Sequence, residues 1–173
     1  MNRDKMVIAL ILFLAFALAT YAWWFRFDQG DAAARFWGGR GANLIRNAPQ
    51  VELLLLRPST YAEEAESDER IQSSGQAYTV VDRFDISKAP GMLNARQALI
   101  EDASFNWDAG QLPAANWQYA FVFSSASAQA HVLLDLRQNL VGLLESNVMT
   151  SIEPMSAGLR KFIAEKIERR KSS

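Results

Sequence analysis

The sequence predicts an α+β fold: one N-terminal transmembrane helix, then a small domain whose mainly antiparallel sheet of about five strands is packed by helices. Three observations carry this. An uncharged apolar stretch occupies residues 6–25. Segments alternating at the two-residue period of a strand follow at residues 78–86 and from Tyr119 onward. Segments with apolar residues three and four apart interrupt and close them without a regular βαβ repeat, which argues against a doubly wound sheet.

Residues 6–25 contain no charge and only Thr20 as a clearly polar member. At about 1.5 Å per residue they reach about 30 Å, the thickness of a bilayer's hydrocarbon layer. Tyr21, Trp23, Trp24 and Phe25 gather at the C-terminal end, where amphipathic rings favour the headgroup level. Arg3 and Lys5 flank the other end and predict a cytoplasmic N-terminus, residues 1–5, with residues 26–173 periplasmic and the chain held in the inner membrane. Arg26 opposes that bias. An alternative is cleavage after Ala17-Leu18-Ala19 and secretion to the periplasm, although a mature chain would then begin with the exposed run Thr20 to Phe25. Within the helix, Ala15, Ala19 and Ala22 fall on one stripe and form a candidate contact face for another transmembrane helix.

Beyond the anchor, residues 31–48 read as helical on both sides of a break at Gly38-Gly39-Arg40-Gly41. Residues 51–57, bounded by Pro49 and Pro58, form an apolar run expected in the middle of the sheet. Residues 59–75 are polar, with Glu63, Glu64, Glu66, Asp68 and Glu69 close together, and are expected to be a solvated loop. Tyr78 to Ile86 form a second strand, paired with the first. A helix follows from Met92 to about Asp102. Tyr119–Phe123, Ala130–Leu136 and Leu140–Leu144 then make a meander. Pro154 opens an amphipathic helix with Met155, Leu159, Phe162, Ile163 and Ile167 on one face and Arg169-Arg170-Lys171 at its end.

The 173 residues carry 18 Lys and Arg against 19 Asp and Glu, so no net field is available to recruit nucleic acid. With no cysteine, disulfides and thiolate metal sites are excluded. His131 is the sole histidine; four strand residues separate it from Asp135 by about 13 Å, too far for a dyad. Asp82 and Asp85 fall on opposite faces of their strand. No Gly-x-Ser-x-Gly, Ser-x-x-Lys or His-Glu-x-x-His motif occurs. No catalytic, metal or cofactor site is therefore expected.

The expected function is that of a non-enzymatic accessory or assembly protein, its partners membrane lipid and other membrane-protein subunits. A second reading is a small-ligand module with Arg40, Trp107 and Trp117 lining its pocket. A third is a membrane-tethered hydrolase whose site residues converge from distant positions.

Overall fold

A computed structural model describes residues 3–28, 31–59 and 69–171 of the chain. It is an α+β structure with four helices and one seven-stranded antiparallel sheet among the described residues. Helix α1 spans Arg3–Asp28 and α2 spans Asp31–Asn47, kinked at Gly38, whose φ of 67° lies where glycine meets no Cβ penalty. Strand β1 is Gln50–Pro58, β2 Arg70–Ser73 and β3 Gln76–Asp85. Helix α3 follows over Met92–Ile100. Strands β4 (Tyr119–Ser124), β5 (Gln129–Asp135), β6 (Leu140–Leu143) and β7 (Val148–Ser151) precede helix α4, Glu153–Lys171.

The strand order is β2-β3-β1-β4-β5-β6-β7. As its apolar run implies, β1 is interior to the sheet, paired with β3 on one side and β4 on the other, and both its faces are buried: Leu53 is fully covered and Leu54 nearly so. Alternation then splits the core in two. Val51, Leu53, Phe121, Phe123, Val132 and Leu134 face α2, α3 and α4, while Leu54, Leu56, Ala120, Val122 and Leu133 face away.

Among the described residues no α-helix covers this second face. Instead the sheet curls, so that the Ser74 hydroxyl in the β2–β3 turn donates to Asn147 Oδ1 at 3.0 Å, just before β7. The interior of the curl is filled by Ile71, Tyr78 and Trp117. Trp117 arrives on the segment after α3, which makes a bridge from Asn106 to Ser151 at the outer edge of β7.

Two strands correct the expectation of about five. Strand β2 lies within the stretch read as loop, because Ile71 is its only apolar residue. Strand β7 inverts the usual pattern: Val148 and Met149 are exposed while Thr150 and Ser151 are buried. Of the acidic run, only Glu69 is described; Glu63, Glu64, Glu66 and Asp68 lie outside the described residues.

Among the described residues no helix is long and apolar enough to cross a membrane. The side chains described in α1 are those of Ile8 and residues 10–21, fewer than the roughly 20 a span requires.

Candidate functional site

Helix α2 follows α1 after two residues, and both its ends are held by side chains from the α3 region. Its first N–H groups lack intrahelical partners, as at any helix start. The Asp102 carboxylate supplies them, Oδ1 accepting from Ala33 N at 2.7 Å and Oδ2 from Ala32 N at 3.3 Å. At the other end the Arg96 guanidinium donates to Ile45 O at 2.8 Å and to Ala48 O, and lies 5.4 Å from the centre of the Phe123 ring. An anion therefore meets the positive end of the helix and a cation the negative end. Burial pushes the Arg96 pKa down.

An aromatic cluster surrounds the α2 start. Phe36 and Trp37 contact each other at 4.6 Å, Trp37 Nε1 donates to Leu99 O, and Phe105 stacks on Trp107 at 4.7 Å. Trp107 also meets Phe36 at 5.9 Å and donates from Nε1 to Asp102 O at 3.1 Å. Trp37 is buried, whereas Trp107 remains 38% exposed.

The structure does not bring Arg40, Trp107 and Trp117 together. Arg40 sits past the Gly38 kink, donates to Ser127 O at 3.3 Å, and lines a cleft of about 210 Å³ with Trp37, Leu44 and Glu145. Trp107 belongs to the cluster at the α2 start. Trp117 is buried on the opposite face of the sheet, its Nε1 donating to Ser73 Oγ at 3.1 Å. That placement removes the physical basis of the three-residue pocket: the segment joining the two tryptophans passes from one face to the other.

In α1, Ala15, Ala19 and Tyr21 are exposed, while the side chains of Ala22, Trp23, Trp24 and Phe25 lie outside the described residues.

The sole histidine has a partner that strand spacing did not reveal. Glu145, in the short turn after β6, accepts at Oε1 from His131 N at 2.9 Å and lies 2.7 Å from His131 Nδ1. Burial works against ionisation of Glu145, but these hydrogen bonds outweigh it and hold the carboxyl below its usual value. Asp82 and Asp85 fall on opposite faces, opposite Leu55 and Glu52 of β1.

Asp135 is fully buried and accepts from Asn116 N, Gln118 Nε2, Arg137 N and Gln138 N at 2.8–3.1 Å. It ties the β5–β6 turn to the segment that carries Trp117. Arg160 of α4 grips the same turn, donating to Leu136 O and to Asn139 Oδ1. These are structural duties, in which every group is paired within the fold. Among the described residues no three His, Asp or Glu side chains converge as metal ligands.

Two concavities among the described residues are a groove of about 490 Å³ between α3 and α4, floored by Ala95, Met155 and Phe162, and one of about 500 Å³ at the mouth of the curl beside Tyr78 and Trp117. Burial raises the Tyr78 pKa, so its hydroxyl there stays protonated. No family model, no curated protein and no solved structure matches the chain.

Proposed function

We propose that the chain is a single-span membrane protein in which α1 crosses the bilayer and the α+β domain serves as a non-enzymatic accessory or assembly module for other membrane-protein subunits. The observation that carries the anchor is the exposure of apolar side chains on every side of α1. Ile8, Leu10, Ile11, Leu12, Phe13, Leu14, Phe16 and Leu18 are 58–74% exposed. At about 100° per residue they leave no polar face to turn toward water. Leaving eight such groups in water costs on the order of 10 kcal/mol, which a lipid surround removes. The apolar sequence continues through Phe25 within a helix that runs to Asp28, giving the length of a span.

Arg3 and Lys5 favour a cytoplasmic N-terminus and a periplasmic domain. Support for the accessory role is the character of the domain: among the described residues the buried polar side chains are paired within the fold, and no third His, Asp or Glu joins His131 and Glu145 in a metal-ligating group.

The absence of cysteine provides a direct test. A single cysteine at Lys88 should react with a membrane-impermeant maleimide in intact spheroplasts, and one at Asn2 only after permeabilisation. The reverse pattern defeats the orientation, and a protein extracted from membranes by alkaline carbonate defeats the anchor. Recovery of the full chain alone from mild detergent, under several growth conditions, counts against the accessory role.

A further inference from the structure

Asp28 ends α1 and Asp31 begins α2, three peptide links apart. Their Cα atoms are therefore separated by no more than about 11 Å. With residues 6–25 filling the hydrocarbon, Asp28 falls in the headgroup layer, about 6 Å deep on each side. Whatever is fixed to the start of α2 is carried to the bilayer surface.

What is fixed there is the Trp107 ring. Asp102 accepts from the Ala32 and Ala33 N–H groups in the first turn of α2, Trp107 donates to the Asp102 carbonyl, and its ring packs on Phe36 and Phe105. A half-covered aromatic patch thus sits at the one end of the domain whose distance from the anchor the chain itself limits. The geometry points to Trp107 and Phe36 as a membrane-docking surface that seats the domain on the phospholipid headgroup layer, an inference that rests on the proposed anchor.

The chemistry favours lipid. Tryptophan prefers the interface, where its ring meets the acyl boundary. Arg35 is exposed on the same turn as Phe36, but Glu101 and Asp108 are exposed nearby, so the local charge is mixed and the contact is aromatic rather than cationic. It should accordingly change little with salt. The domain is then not a body swinging on a tether; its α2–α3 face has a set orientation to the membrane.

Single cysteines carrying a nitroxide label, in the full chain reconstituted in phosphatidylcholine vesicles, test this through collisions with oxygen and with an aqueous nickel chelate. The sites are Leu14 in α1, Asp108 beside Trp107, and Lys88 near the opposite end of α2. The expected result is a label shielded from the chelate at Leu14, partly shielded at Asp108 and fully reached at Lys88, with Trp107→Ser removing the shielding at Asp108. Equal chelate access at Asp108 and Lys88, with Leu14 shielded, overturns the docking surface and leaves the anchor standing. Shielding at Asp108 that persists in Trp107→Ser overturns the role of Trp107. Free access at Leu14 overturns anchor and docking together.

Discussion

Trp117 lies against Gly142 so closely that a Cβ there would stand 3.0 Å from the indole Cη2 and 3.0 Å from the Val148 carbonyl oxygen. The indole fills the curl only because β6 has no side chain at this point. Gly142→Ala should cost about 1–3 kcal/mol, since the carbonyl belongs to the β7 backbone and cannot swing aside. Urea denaturation measures it, and Trp117→Phe in the same chain should recover part of the loss. Strictly additive effects of the two changes would show that no shared contact exists.

Asp135→Asn keeps the shape but turns an amide toward four donors. A loss of about 2–3 kcal/mol is expected, the scale of hydrogen bonds to a charged group. A midpoint equal to that of the parent protein would mean the carboxylate does not organise the turn.

The two ends of α2 should fail separately. Asp102→Ala is expected to cost about 1 kcal/mol and to speed amide exchange at Ala32 and Ala33. Arg96→Ala should cost about 1–2 kcal/mol and loosen the far end near Ala48. Uniform exchange changes along the helix in both variants would contradict local capping.

Glu145 carries a pH signature. Because its folded value lies below its ordinary one, the stability it contributes is present above the ordinary glutamate value of about 4.3 and is lost as pH falls through the depressed folded value. Glu145→Gln should therefore be less stable than the parent near neutral pH, with the gap closing in acid. Chemical denaturation across that range reads it. A gap that stays constant through the acid range would remove His131 as the cause.

Much of the architecture was legible where one face of an element is apolar. Strand β1 shows as an apolar run bounded by prolines, strands β3 to β6 and helices α3 and α4 show by their apolar patterns, and each fell close to its expected place. Strand β2 was illegible because Ile71 alone carries its pattern, and β7 because its apolar residues face outward. The contacts that define the candidate surface were hidden for another reason. Asp102 reaches Ala33 across 69 residues and Arg96 reaches Ala48 across 48, and no local pattern encodes such pairings. Conversely, Trp107 and Trp117 are near in sequence, and that nearness misled, since the sheet lies between them.

The hydrogen bond between Ser74 and Asn147 joins the turn after the first strand of the sheet's edge order to the residue before its last. An open sheet of seven strands would offer two rows of unsatisfied amides and carbonyls, each a template for a foreign strand. The Asn106 bridge to Ser151 shortens the row on β7, and the Ser74–Asn147 hydrogen bond draws the two edges together. Resistance to edge-to-edge pairing thus comes from the same curl that gives Trp117 its place.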